Sequence, residues 1–264
     1  MARTSAQTNP LKSAGMPLIL VSPSMEKRGV EFHDLSISLS QPYVDAVLDA
    51  GGLPLVVPST EDPAVLAEAV RRTDGVLLTG GDDIGPELYD PELPAKVRAT
   101  VGAPPDGGGR DLRELLLIEE VFRQRKPLFC ICRGHQLLHV AFGGKLICDI
   151  RLQHSREVNH QRLDKAYEYV HEITLTPGSL IAKLTGKTTL GVNSSHHQAV
   201  PTTVGALVAT GQSPDGLVEV MELTPAGPQL PFMLSVQFHP ERLARKFAEH
   251  HALFTAFVKA CRGK

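Results

Sequence analysis

Several features are missing from this 264-residue chain. It has no block of basic residues. Its 27 Lys and Arg stand against 29 Asp and Glu, for a formal net charge of −2, which argues against a nucleic-acid surface. Cysteine is scarce. Four residues in a chain of this length do not make a disulfide framework, and they fit a reduced, cytoplasmic protein. No apolar stretch approaches the roughly 20 residues of a membrane helix, and Met16–Val21 is far too short. The first fifteen residues are polar and small and lack the apolar core of a signal peptide, so 1–15 read as a disordered tail. No internal repeat and no linker divides the remainder, so 16–264 read as one domain with ample length for a sizeable core.

What the chain does have is a rhythm of short apolar runs and amphipathic stretches. Pro17–Ser22, Leu53–Val57 and Val76–Leu78 are continuous apolar runs of the buried parallel type. Between them lie a polar loop at 23–40, helical spacing from Tyr43 to Ala50, and a helix from Asp62-Pro63 to about Arg72, with Pro at its first turn. This β-α-β-α-β order predicts a three-layer, doubly wound, mainly parallel α/β sheet. Residues 87–109 are rich in Pro and Gly and read as a mobile surface loop, followed by a long helix at 111–124. Beyond Ile150 the pattern changes. Strand-like runs at 169–175, 188–192, 205–210 and 217–223, with a turn signal at Ser213-Pro-Asp-Gly216, predict a small antiparallel extension. A last strand at Phe232–Phe238 and an amphipathic helix at 242–260 end the chain.

The centre of the sequence is 127–146. Leu128–Ile131 reads as a buried strand that Cys132 ends. Gly134 follows, then a helical stretch from His135 to Phe142 stopped by Gly143-Gly144, with Leu146-Ile147 starting another strand. Strand, sharp turn and helix are the layout of a nucleophile elbow. The helix N-terminus and Arg133 place positive charge beside Cys132 and favour the thiolate, its reactive form. Cys130 is read as pointing away from Cys132, a small buried hydrophobe. A cysteine nucleophile needs a base and an orienting acceptor. His239 follows an apolar strand, and Glu241 lies two residues on, across Pro240. Alone, His-Pro-Glu is also a plain strand-to-helix junction; the elbow upstream shifts the balance.

Cys132-Arg-Gly-His-Gln136 and Val236-Gln-Phe-His-Pro-Glu241 resemble the two signature motifs of the class I glutamine amidotransferase superfamily. Gly80-Gly-Asp-Asp-Ile-Gly-Pro86, Arg110-Asp111, Val192-Asn-Ser-Ser-His-His-Gln198 and Asp215-Gly-Leu-Val-Glu219 resemble its peptidase C26 branch, which includes γ-glutamyl hydrolases and γ-glutamyl-γ-aminobutyrate hydrolases. The likeness runs from about Pro17 to Phe257. It implies a flavodoxin-like sheet of the class I amidotransferase type, with Cys132 as nucleophile, His239 as general base and acid, and Glu241 as its orienter. Backbone N–H groups of Gly81 and Arg133 would form an oxyanion hole. Gln136 and the stretch Ser194, Ser195, His196 and His197 would hold the glutamyl part of the substrate. One departure is Cys130, where many members carry Gly; it is small enough for the elbow.

The expected activity is hydrolysis of a γ-glutamyl amide with no cofactor and no metal. The substrate would be a small molecule, there would be no nucleic-acid or membrane partner, and a homodimer is compatible with the family. A glutaminase subunit that feeds ammonia to a synthetase, and a non-catalytic binding module on the same fold, stand as alternatives. On a strand end, adjacent His196 and His197 face opposite ways. His154 and His160 lack a Cys or carboxylate cluster at ligand spacing. His250 and His251 read as solvated residues of the outer helix. Arg110-Asp111 is equally a helix start.

Overall fold

A computed structural model describes residues 15–102, 104–154 and 158–263. Apart from Gly15, the tail expected at 1–15 lies outside the described residues.

The strands are β1 (Leu18–Val21), β2 (Ser24–Glu26), β3 (Ser36–Ser38), β4 (Leu53–Val56), β5 (Gly75–Leu78), β6 (Leu128–Ile131), β7 (His171–Leu175), β8 (Thr189–Val192), β9 (Leu207–Gln212), β10 (Val218–Leu223) and β11 (Met233–Val236). Nine of them form one sheet in the order β4-β1-β5-β6-β11-β10-β9-β7-β8. The first five pair in parallel and the last four are antiparallel. The antiparallel extension therefore continues the parallel sheet.

The helices are α1 (Gln41–Asp49), α2 (Pro63–Arg72), α3 (Ala95–Arg98), α4 (Gly109–Gln124), α5 (Arg133–Ala141), α6 (Ile150–Gln153), α7 (Leu180–Thr185), α8 (Pro240–Leu243) and α9 (Ala248–Cys261). They cover both faces of the sheet, and strand alternation sorts the core accordingly. Ile19, Val21, Leu77, Phe129 and Ile131 join Tyr43 of α1 and Phe254 and Phe257 of α9 on one face. Leu20, Val76, Leu78, Leu128 and Cys130 join Leu66 of α2 and Leu117 of α4 on the other. A strand buried on both faces has no polar side, which is why these runs are continuously apolar. Helix starts follow local chemistry: Asp62 Oδ1 accepts from Ala64 N–H at 2.8 Å, and Ser179 Oγ accepts from Ala182 N–H at 3.2 Å.

Four expectations need correction. The loop at 23–40 contains the β2–β3 hairpin, whose strands are only three residues each, too short for the alternation Ser36-Ile37-Ser38 to stand out. The segment 87–109 holds α3 and a 3₁₀ turn at Pro86–Leu88. Leu146-Ile147 makes only an isolated bridge, from Ile147 to Ala199. The final helix is broken: α8 ends at Leu243, and Phe247 takes an extended φ of −131° and stacks on Tyr169 with centroids 4.1 Å apart.

Candidate active site

Parallel register brings the site together. β5, β6 and β11 are neighbours, with Leu78 opposite Cys130 and Ile131 opposite Val236. They end at one level, so the turns after them meet at a single carboxyl edge. There Cys132 adopts φ 52° and ψ −103°, a conformation that costs a non-glycine residue about 1–3 kcal/mol. The turn is held by Cys132 N–H donating to Val236 O at 2.8 Å and Gly134 N–H donating to Thr79 O at 3.2 Å. Gly134 permits this approach: a Cβ there would lie 2.7 Å from Leu78 Cβ and 2.8 Å from Leu78 O.

His239 follows β11 and stands beside Cys132: a Cβ on Gly80 would lie 2.8 Å from His239 Cε1 and 3.4 Å from Cys132 Cβ. Its Nδ1 lies 2.8 Å from Glu241 Oε1, and Glu241 is buried. Nδ1–H therefore donates to the carboxylate, which leaves Nε2 for the sulfur. Burial disfavours charge on this ring, but Glu241 and Cys132 outweigh it and raise its pKa to about 10. At neutral pH the ring is an imidazolium. Asn193 fixes its backbone from both sides: Asn193 Oδ1 accepts from His239 N–H at 2.8 Å, and Asn193 Nδ2 donates to His239 O at 3.1 Å. Tyr43 Oη lies 3.4 Å from Nδ1 and accepts from Gly80 N–H at 2.9 Å. A Cβ on Gly80 would sit 2.8 Å from His239 Cε1, so only glycine fits there. Gln237 Nε2 donates to Cys132 Sγ at 3.6 Å.

The N–H groups of Gly81 and Arg133, on the two turns flanking Cys132, have no hydrogen-bond acceptor among the described residues. They are free to face an anion. The Arg133 side chain differs from expectation. It turns away from Cys132 and pairs with Asp111 and Glu114, all three buried, while Arg110 Nε pairs with Glu114 at 2.8 Å. Burial works against charge on Arg133, and Glu114 and Asp111 more than offset it. This neutralised cluster anchors α5 to α4. It also holds the Gly80 turn, through Arg110 Nη2 donating to Gly80 O at 2.8 Å. The positive charge beside the sulfur comes from His239.

Residues 17–241, which include all of these turns, match the family model of Peptidase C26. The chain belongs to the peptidase C26 family. It is 37% identical over 221 residues to protein NtpR of Enterococcus hirae, covering 83% of this chain and 87% of that one. It is 33% identical over 232 residues to the γ-glutamyl-γ-aminobutyrate hydrolase PuuD of Escherichia coli K12, covering 85% and 86%. The CTPS glutaminase domain of Trypanosoma brucei shares the fold, with a TM-score of 0.57 at 13% identity over 92% of this chain and 94% of that one. The chain is thus a glutamine amidotransferase-like hydrolase with the class I amidotransferase fold.

Within this peptidase C26 chain the other expected site residues separate. Gln136 Nε2 donates to Gln198 O at 2.9 Å and Gln237 Oε1 at 3.1 Å, so its amide nitrogen serves the core. His196 and His197 do face opposite ways. His197 Nε2 meets Asp83 at 2.8 Å, which raises its pKa, and lines a cavity of about 190 Å³ with Ile150, Asn159 and Gln161. Ser195 is half-buried and bridges to Gln161. Ser194 and His196 turn inward to His160, His171, Asp215 and Glu219. The expectation that no ligand cluster surrounds His160 therefore fails: ligand atoms of His160, His196 and Glu219 lie within 4.8 Å of one another. Sequence spacing misses this because four separate segments supply the groups. His250 is also corrected. It is buried, with Nε2 3.0 Å from Gly191 O.

Tyr43 and Asn193 received no role from sequence. A lone buried aromatic on α1 gives no signal. Gln237 was findable, because period-two alternation puts it on the same side as His239. Among the described residues, no helix is long and apolar enough to cross a membrane.

Proposed function

We propose that this chain is a cysteine-dependent hydrolase of γ-glutamyl amide bonds, acting on γ-glutamyl-γ-aminobutyrate or a related γ-glutamyl amine and releasing glutamate. The carrying observation is the buried set Cys132, His239 and Glu241, with Glu241 Oε1 2.8 Å from His239 Nδ1. The γ-glutamyl specificity is supported by the 33% identity to the E. coli γ-glutamyl-γ-aminobutyrate hydrolase across 86% of its length.

In this reading the Cys132 sulfur, paired with protonated His239, attacks the γ-carbonyl carbon. The oxygen becomes an oxyanion that accepts from Gly81 and Arg133 N–H, each donor contributing about 3 kcal/mol to the barrier. The C–N bond breaks as His239 Nε2–H protonates the leaving amine. The neutral ring then takes a proton from water, whose oxygen attacks the thioester. The C–S bond breaks, glutamate leaves, and the proton remains on His239. Glu241 holds the ring in the productive tautomer throughout. Gln237 Nε2–H steadies the sulfur.

The test is a screen of γ-glutamyl amides with the purified chain alone, read as free glutamate. Steady release from γ-glutamyl-γ-aminobutyrate or a similar amide, with free L-glutamine a poorer substrate, supports the reading. Silence on every amide, with glutaminase activity appearing only when a synthetase and ATP are added, would overturn it in favour of an ammonia-donating subunit. An inert Cys132 under all conditions would favour a binding module.

A further inference from the structure

A second buried cluster lies behind the Ser194–Gln198 segment. Three imidazoles converge there on Glu219 Oε1: His160 Nδ1 at 3.6 Å, His196 Nε2 at 3.7 Å and His171 Nε2 at 3.8 Å. Each ring is anchored through its other nitrogen on an acceptor. His196 Nδ1 is 2.9 Å from Gln198 O, His171 Nδ1 is 3.2 Å from Glu172 O, and His160 Nε2 is 3.2 Å from Asp215 Oδ2. A carbonyl or carboxylate in that position fixes the proton on the anchored nitrogen, so three lone pairs point inward. Inside are three lone pairs and a carboxylate, all acceptors.

Little satisfies them. Among the described residues, both Glu219 oxygens and His171 Nε2 are buried without a hydrogen-bond partner. Ser194 Oγ lies 3.0 Å from His160 Nδ1 and 3.2 Å from His196 Nε2, but its single proton serves only one of them. The distances to Glu219 exceed a hydrogen bond. They lie near the roughly 3.4 Å edge of a tetrahedron with metal–ligand lengths of about 2.0–2.2 Å. An imidazole whose second N–H rests on a carboxylate or backbone carbonyl is the usual arrangement of a metal ligand.

We propose that His160, His196 and Glu219, whose ligand atoms all lie within 4.8 Å of one another, form a binding site for a divalent transition metal, with Zn²⁺ as the fitting ion. All three ligands are buried, and the ion takes no part in the chemistry at Cys132. It supplies the positive charge this all-acceptor pocket lacks. The ion would staple β10 and residues 160 and 196 together. Asn193, which grips the backbone of His239, lies three residues before His196, so the staple also backs the wall beside the catalytic ring. The proposal does not depend on the substrate assigned above.

The full chain, stripped with a chelator, is exposed to Zn²⁺ or Co²⁺, desalted, and assayed for bound metal by mass spectrometry. One equivalent per chain, a visible spectrum of tetrahedral Co²⁺ and a raised Tm are expected. Glu219→Gln and His196→Ala should lose the equivalent, whereas His33→Ala at the surface should retain it. Asp215→Asn removes no ligand and should weaken Zn²⁺ affinity by about 10–100-fold, which keeps the test decisive if the ligand variants fail to fold. Retention well below one equivalent, an octahedral Co²⁺ spectrum, or an Asp215→Asn affinity equal to wild type would overturn the site.

Discussion

Glu241→Gln isolates the charge that sets the state of His239. The side chain keeps its size, and an amide oxygen can still accept from Nδ1–H at the observed 2.8 Å. What disappears is the negative charge. The rise of His239 from 6.5 to about 10 corresponds to roughly 5 kcal/mol in favour of the charged ring, at about 1.4 kcal/mol per pH unit. Burial opposes that charge, and the Coulomb attraction of Glu241 is the largest single effect that raises the pKa against it. Without it, burial regains ground and the ring pKa falls toward or below 6.5. Wild-type kcat/KM on a γ-glutamyl amide should hold through neutral pH and fall on an alkaline limb near 10, where the leaving amine loses its acid. In Glu241→Gln that limb should move down by more than one unit, with a neutral-pH rate loss of about 10²–10⁴. Stability follows the same sign. The charged ring contributes fully below pH 6.5, and that contribution disappears as pH rises through about 10, so wild type should lose Tm in that window and the variant much less. An active Glu241→Gln enzyme with an unmoved alkaline limb would refute the assignment of the charge to this pair.

Other outcomes follow from the same geometry. Cys132→Ala should abolish turnover with the fold intact by circular dichroism, while Cys130→Ala, whose side chain packs in the opposite core, should stay active; the reverse result would mean the strand register is wrong. Gly134→Ala drives a methyl to 2.7 Å from Leu78 Cβ and should cost about 1–3 kcal/mol in denaturant unfolding, with lost activity as α5 is displaced. Arg133→Met leaves Asp111 and Glu114 buried with fewer partners and should destabilise by about 3–5 kcal/mol; a neutral effect would show that Arg110 alone compensates both carboxylates.

β1, β5, β6 and β11 were legible because strands buried on both faces must be apolar throughout, whereas β4, read as buried, is an edge strand with Leu53, Leu55 and Val56 exposed. The antiparallel strands were legible through their turn at Ser213–Gly216, where Gly216 N–H donates to Ser213 O at 2.9 Å. The β2–β3 hairpin was not, because its strands are three residues long and bury only Met25. His250 was legible in principle. It lies on the same stripe as Leu253, Phe254, Phe257, Val258 and Cys261, spaced three and four apart, and belongs with the buried face of α9. The direction of Arg133 was illegible for another reason: its partners sit on α4, 19 and 22 residues away in sequence, and no local spacing reports them. The four-segment cluster around Glu219 was hidden in the same way.

The catalytic ring is held by three kinds of contact, and each controls a different property. Glu241 carries charge and so governs protonation. Asn193 carries two neutral hydrogen bonds to the His239 backbone, each worth about 1 kcal/mol net. They cannot move the ring pKa far, but they fix where the ring stands. Tyr43 joins the ring to Gly80, one residue before Gly81, a candidate oxyanion donor, so it couples His239 to that turn. Below them, the Arg110–Asp111–Glu114–Arg133 cluster touches both the Gly80 turn and the start of α5. A shift there moves both candidate oxyanion donors together while leaving the pairing of His239 with Glu241 intact. The two faults are therefore separable. Damage to the ion cluster lowers rate without displacing the alkaline limb, and damage at Glu241 displaces the limb itself.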